Sequence, residues 1–364
     1  MEYNSYRRKS RKIKVGNIAI GGDSPIAIQS MTNTTTADVA ATLSQVRALE
    51  AAGCDIVRLA VPDIESAKTF RELRREGVGV PLVADIHFDY KIALAAIEAG
   101  ADKIRINPGN IGTKEKIRAV VDACKERGIP IRIGVNSGSL EKEILKKYGS
   151  PTAEALAESA LYHVGLLREF DFFDVAVSVK ASDTKSMIDA NRILAEKTDL
   201  PLHLGVTEAG FGNRAIIKSS VGIGSLISLG IGDTVRVSLT DDPVCEVSAA
   251  REILSSLGVY KSRGMDIVSC PTCGRTKIDL ISLVREFEKR AEEEGLLSLD
   301  IKVALMGCAV NGPGEAREAD VGIAGGIGEG LLFRRGEIIR KIKEDALVDE
   351  LIKEIKLMRG LLET

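Results

Sequence analysis

The sequence predicts an α/β chain: an N-terminal (β/α)8 TIM barrel followed by a smaller α+β domain whose functional groups ride on loops. Three observations carry this. A β-branched run, a polar turn and an amphipathic helix recur eight times before Leu257. Glycines at 53, 77, 100, 128, 230 and 258 stand where left-handed caps end helices. After Gly258 the repetition stops, and a Cys-x-x-Cys segment opens a different order of elements.

The eight runs are Ile26 to Thr32, Asp55 to Val61, Pro81 to His87, Lys103 to Asn107, Pro130 to Asn136, Phe173 to Lys180, Pro201 to Thr207 and Thr234 to Leu239. The helices between them carry one apolar face, as at Val39, Leu43, Val46 and Leu49, or Ile117, Val120 and Val121. Right-handed crossovers close such a series into a parallel barrel. A doubly wound open sheet would show a glycine fingerprint after the first strand, and Ile26 to Thr34 has none. The glycine-rich stretch Gly222 to Gly232 lacks the lysine and serine of a phosphate loop and reads as close helix packing. The barrel is expected over 1–260 and the second domain over 261–364, divided within LGVYKSRGMD. The second domain reads as a strand at Asp266 to Ser269, a CPTC turn, a helix from Leu280 to Glu294 and a strand from Asp300 to Met306. A GCAVNGPGE turn follows, then short strands around Val321 to Ile323 and Leu331 to Phe333, and a closing helix from Asp345 to Leu362.

Lys and Arg number 50 against 52 Asp and Glu, for a net charge of −2, and this balance argues against a nucleic-acid partner. The absence of tryptophan removes the usual stacking platform for bases. No run of eighteen apolar residues suits a membrane, and the cationic N-terminus has no apolar segment behind it, so a cytoplasmic protein is expected. A reducing compartment suits Cys54, Cys124 and Cys245, which lie in apolar-periodic segments and read as buried free thiols.

Functional groups of a parallel barrel gather where strands end. Arg58 follows DIV, Asp85 and His87 end ADIH, Arg105 and Asn107 end KIRIN, and Arg132 and Asn136 lie in IRIGVN. Ser178 and Lys180 end VSVK, Thr207 and Glu208 end GVTE, and Arg236 and Ser238 end VRVS. Residues two apart on a strand share a face, which pairs Asp85 with His87, Arg105 with Asn107 and Arg236 with Ser238. Arg58, Arg105, Arg132, Lys180 and Arg236 converge, with Asp85 and Glu208 the only acids at these strand ends. Buried cations in that number require a polyanion, so the ligand carries phosphate. Asp85 and His87 read as an orienting or proton-handling pair, and Glu208 stays ionised amid positive charge.

Cys270 and Cys273, two residues apart, can close on one metal or cluster, and Cys308 among glycines is a third ligand. Structural zinc wants a fourth Cys or His, and no histidine follows His203. A redox dithiol leaves the glycine-rich turn unexplained. An iron-sulfur cluster on three cysteines and one weaker ligand fits best, with Glu315 the nearest candidate for the fourth place.

The segments IQSMTNT (28–34), DIVRLAVP (55–62), VADIHFDY (83–90), KIRINPGN (103–110), IRIGVNSGSL (131–140), SCPTCGR (269–275) and MGCAVNGPGEA (306–316) together resemble one family. It is that of the 4-hydroxy-3-methylbut-2-en-1-yl diphosphate synthases, in the shorter, two-domain bacterial form. The resemblance spans nearly the whole chain. It implies reductive ring opening of 2-C-methyl-D-erythritol 2,4-cyclodiphosphate, with electrons from ferredoxin or flavodoxin passing through a 4Fe-4S cluster. The cluster's implied ligands are Cys270, Cys273, Cys308 and Glu315, in a domain resembling that of sulfite reductases. By the same resemblance Arg58, Arg105, Arg132, Lys180 and Arg236 hold the diphosphate, and Asn107, Asn136, Thr207 and Ser238 assist. Glu208, Asp85 and His87 handle protons, and Glu315, more readily displaced than a thiolate, could yield an iron site to substrate. A homodimer in which each cluster domain caps the partner's barrel is also implied. A redox-neutral barrel lyase or transferase with a structural metal is the rival, and iron analysis separates the two.

Overall fold

The computed structural model of the chain describes residues 3–261, 264–308 and 317–362. It divides into two compact units, Met1–Tyr260 and Lys261–Thr364.

The first unit begins with an antiparallel hairpin where the sequence suggested only a cationic arm. Strands β1 (Ile13–Val15) and β2 (Ile18–Ile20) are joined through Gly16, whose φ of 56° lies in the left-handed region. Ile13, Val15 and Ile20 bury against Ala27, Ile56, Val83 and Ala176, inward residues of four barrel strands, and make an apolar floor.

The eight expected barrel strands follow: β3 (Ala27–Met31), β4 (Ile56–Ala60), β5 (Leu82–Asp85), β6 (Lys103–Ile106), β7 (Ile131–Asn136), β8 (Val175–Lys180), β9 (His203–Leu204) and β10 (Thr234–Val235). They pair in parallel in the order β8-β7-β6-β5-β4-β3-β10-β9. A bridge between Val177 and Leu202, with the Val177 N–H donating to Pro201 O at 2.9 Å, joins the two ends of that row. Period two sorts the side chains. Ile28, Val57, Leu59, Ile104, Ile106, Ile131 and Ile133 face the helices in one large apolar cluster. The alternate positions, above the floor, include Gln29, Arg58, Asp85, Arg105, Arg132 and Lys180.

Close packing explains the glycine-rich helix Gly212–Ser228: a Cβ on Gly222 would stand 2.6 Å from Met187 Cε and 2.7 Å from Val206 Cγ2. Cys54 and Cys124 are buried, and burial pushes both thiols up to about 12. Cys245 is exposed, contrary to the sequence reading, because the first turn of helix Pro243–Ser256 turns it into a groove beside helix Gly212–Ser228.

The second unit is one five-stranded sheet: β11 (Asp266–Ser269), β12 (Lys302–Met306), β13 (Val321–Gly325), β14 (Glu329–Arg334) and β15 (Glu337–Lys343). The first three strands are parallel and the last two antiparallel. Helices Leu280–Glu293 and Leu347–Leu362 bury Phe287, Leu347 and Leu351 against Val303, Leu305 and Ile323. Ala304, Met306 and Phe333 form a smaller cluster from the alternate positions, with Cys270 packed on it. Strand β15 escaped the sequence reading because only Ile342 of its seven residues is buried, so it lacks the alternation of a half-covered strand. No helix of the described residues is long and apolar enough to cross a membrane.

Candidate active site

Six expected residues meet inside the barrel. Arg58 donates to Asp85 Oδ2 at 2.6 Å, and Arg105 donates to Asp85 Oδ1 at 3.1 Å. Burial alone would raise the Asp85 pKa, but Arg58 and Arg105 outweigh it and hold the carboxyl well below its ordinary range. Arg132, 1% exposed, donates to Gln29 Oε1 at 3.3 Å, and its Nε has no partner among the described residues. Its Cα partner across the ladder is Arg105, a like-charge pairing that a sheet ordinarily avoids. Lys180, also buried, lies within electrostatic reach of Arg236, Arg132 and Arg58. Burial first, and then the neighbouring guanidiniums, push Arg132 and Lys180 well below their usual values.

Arg236 is held by a residue the sequence reading missed. Its Nε and one terminal nitrogen donate to the two oxygens of Glu246, each at 3.1 Å. Glu246 also accepts from Ser30 Oγ at 2.8 Å and from the Leu239 N–H at 3.1 Å. The available signal was an acid in the first turn of the helix after VRVS. Five cations thus face two carboxylates, Asp85 and Glu246.

Two strand glycines make room for them. A Cβ on Gly134 would stand 2.3 Å from Arg105 Nε, and one on Gly205 would stand 2.9 Å from Lys180 Nζ and 2.5 Å from Arg236 O. A glycine inside a strand is the sequence trace of such an approach.

Asp85 and His87 share no hydrogen bond, but His87 lies within electrostatic reach of the Asp85 carboxyl and adds to the lowering of its pKa. Strand β5 ends at Asp85, so the two-residue alternation stops there. His87 is exposed, its ring 5.9 Å from that of Phe88. Glu208 is also exposed and takes a φ of 53°, a strained conformation for a residue with a Cβ and one that clusters at functional sites. Asn107, 2% exposed, spends its amide on loops: Oδ1 accepts from the Gly109 N–H at 3.1 Å, and Nδ2 donates to Ser139 O at 3.5 Å. The Asn136 N–H donates to Ser139 Oγ at 3.2 Å. Thr207 and Ser238 are half-buried at the strand ends, and Ser178 is buried.

The second unit places its thiols on two stitched turns. Strands β11 and β12 run parallel with Ser269 opposite Leu305, so Cys270 and Cys308 leave from neighbouring strand ends. The Gly307 N–H donates to Cys270 Sγ at 3.2 Å, and the Lys277 N–H donates to Gly307 O at 3.0 Å. Thr272, at φ 51°, makes the tight turn between Cys270 and Cys273. The backbone and then the side chain of Arg275 hold the exposed Cys273 thiol below its ordinary value. Among the described residues no three His, Cys, Asp or Glu side chains are gathered closely enough to enclose a metal. Glu315 lies outside the described residues. Paired thiols on a tight turn, a backbone N–H aimed at sulfur and a third cysteine from the adjoining strand end suit a thiolate-bound cluster.

Fold and site together define a TIM-barrel enzyme with a buried cluster of cations, joined to a thiol-bearing domain. Comparison with known proteins sharpens this. The GcpE TIM-barrel domain matches residues 10–251, and the GcpE protein C-terminal domain matches 266–357. The chain is 59% identical over 350 residues to a 4-hydroxy-3-methylbut-2-en-1-yl diphosphate synthase (flavodoxin) of Clostridium perfringens, covering 96% of this chain and 99% of that one. The synthase of the same name from Clostridium acetobutylicum is 58% identical over 349 residues, covering 96% and 99%. The chain belongs to the GcpE family of 4-hydroxy-3-methylbut-2-en-1-yl diphosphate synthases, which are oxidoreductases.

Proposed function

We propose that the chain reductively opens 2-C-methyl-D-erythritol 2,4-cyclodiphosphate to (E)-4-hydroxy-3-methylbut-2-enyl diphosphate in isoprenoid biosynthesis. The reaction takes up two electrons and two protons and releases water. The observation that carries it is the buried surplus of positive charge: five cations against Asp85 and Glu246 need an anionic ligand with several oxygens.

Arg58, Arg105, Arg132, Lys180 and Arg236 bind the diphosphate. Asp85 and Glu246 aim three of these cations, Arg58, Arg105 and Arg236, and Asp85, kept ionised, is a positioning group and not a proton donor. Glu208 and His87, exposed on the segments that follow β9 and β5, handle the protons. Asn107 and Asn136 set the loops after β6 and β7, and Thr207 and Ser238 lie at the rim. Cys270, Cys273 and Cys308 would hold a 4Fe-4S cluster with Glu315 as the fourth ligand, and such a cluster supplies electrons singly when bound. The donor is flavodoxin, which the relatives' names carry, with ferredoxin as the alternative.

The domain roles follow: residues 1–260 bind substrate and residues 261–364 bind the cluster, in a cytoplasmic homodimer whose cluster domains each cap the partner's barrel. Anaerobic purification, iron and sulfide analysis, and turnover of the cyclodiphosphate with reduced flavodoxin test the reading. Turnover by iron-free protein would sink it. Mixed Cys270→Ser and Glu208→Ala chains, after verified subunit exchange, should regain activity if catalysis crosses the interface, and an inactive mixture removes the cap.

A further inference from the structure

Lys103 opens β6 at the level of the apolar floor, since its Cα partner across the ladder is the floor residue Val83. The side chain is fully buried, and Nζ has no hydrogen-bond partner among the described residues. Facing it are Arg132 from β7, Arg58 from β4 and His203 from β9, with one carboxylate, Asp102, preceding it in the chain. That carboxylate is already engaged: it accepts from the Leu82 N–H at 2.7 Å and pairs with Arg74. His203 is itself buried, with Nδ1 2.7 Å from Thr234 Oγ1. An ammonium at Lys103 would be shut off from bulk solvent with no free anion beside it, and two guanidiniums would repel it. Burial first, then Arg132 and Arg58, push the amine well below its ordinary value.

We propose that Lys103 is a sixth cation of the diphosphate site, uncharged in the free enzyme and protonated when the ligand's negative charge settles on the ring above it, so that binding takes up a proton. The proposal rests on the reading that the ring holds a diphosphate. Lys103 acts on the ligand through its field and not by contact, and its charge appears only when an anion is present to offset that of Arg132 and Arg58. The sign follows from linkage. A group whose pKa is low in the free protein and higher in the complex binds a proton at any pH between the two, and affinity weakens as pH rises through that window.

The experiment is calorimetric titration of the oxidised holoenzyme with the cyclodiphosphate, without reductant, at pH 8 in two buffers of different protonation heat. At that pH an ordinary histidine, near 6.5, is neutral, and the cyclic diphosphate has no monoester oxygen to titrate. Wild type should take up about one proton per site more than chains with Lys103 replaced, whatever Lys180 adds, and that proton should raise its Kd about tenfold per pH unit within the window. Lys103→Met and Lys103→Gln, their fold checked by circular dichroism, should bind without that uptake. No uptake by wild type, or unchanged uptake by the folded variants, overturns the proposal. Arg132→Met separates this from the reading beneath it. Unchanged affinity in that variant removes the ring and the proposal together, whereas weakened affinity with no wild-type uptake removes Lys103 alone.

Discussion

The two units carry their chemistry in opposite ways. In the barrel the cations are inside the fold and three of the five are already tied to carboxylates, Asp85 locked between Arg58 and Arg105 and Glu246 gripping Arg236. In the second unit the thiols sit on turns, Cys273 exposed and Cys270 and Cys308 half-buried. Charge inside a protein must be largely compensated by the fold, and of these five only Arg132 and Lys180 are left without a carboxylate among the described residues, whereas thiols at a surface can wait in their neutral form. The barrel is therefore a site made by the fold, and the thiol turns are a site to be completed by what they bind.

Breaking the second site should have the largest effect. Serine at Cys270, Cys273 or Cys308 is expected to abolish iron binding and turnover while the barrel's circular dichroism stays intact, and full iron content in these variants would refute the ligand set. Glu315→Ala is expected to retain some iron with activity lost, measured by iron analysis beside turnover.

Within the barrel the largest effect is on stability. Asp85→Asn strips the shared partner from two buried arginines, a loss of about 3 to 5 kcal/mol in denaturant unfolding at pH 7. Because Asp85 is held below its unfolded value of about 3.9, its contribution is complete above that pH and drains away below it. The gap between variant and wild type should therefore close on acidification below about pH 4. A gap that stays constant with pH would separate the loss from the ionised carboxylate. Next come Arg105→Ala and Arg132→Ala, expected to weaken substrate binding by roughly 2 to 4 kcal/mol with iron content unchanged.

Gly134→Ala sharpens the comparison, since the added methyl strikes Arg105. About tenfold weaker binding in a folded protein is expected, near 1.4 kcal/mol. Normal affinity would mean that Arg105 yields freely. The smallest effect is chemical: in metal-free protein, maleimide should label Cys273 first and leave Cys54 and Cys124 untouched while the barrel is folded, as mass mapping would show.

The barrel was legible because a β-branched run and an amphipathic helix recur eight times, six of the helices ending at a glycine. What escaped lay across that grain. The floor hairpin has a two-residue Gly-Asn link between IKV and IAI, yet the stretch read only as a cationic arm. Several are in fact anchored: Arg7 donates to Asp233 Oδ1 at 2.8 Å, and Arg8 to Thr198 O at 2.5 Å. Glu246 was hidden because its contact with Arg236 joins a helix to a strand, two periodicities that no single window holds. Lys103 looked like an ordinary first residue of a strand, and only the closed ring shows how little surrounds its amine. His87 was placed beside Asp85 by carrying a strand's alternation one step past the strand's end, and the two lie within electrostatic reach without a hydrogen bond.

Barrel closure also has a consequence in time. Ala27 pairs with Thr234, more than two hundred residues later, and the floor needs Ile13, Val15 and Ile20 beneath strands made at every later stage. A chain leaving the ribosome N-terminus first makes its plug long before there is a vessel to seal. The plug and β3 must stay uncommitted, with apolar faces open, until β10 arrives. Such distant pairing is slow to find, so the barrel should complete only after most of the chain is synthesised. The second unit, whose partners all lie within its last hundred or so residues, carries no such delay.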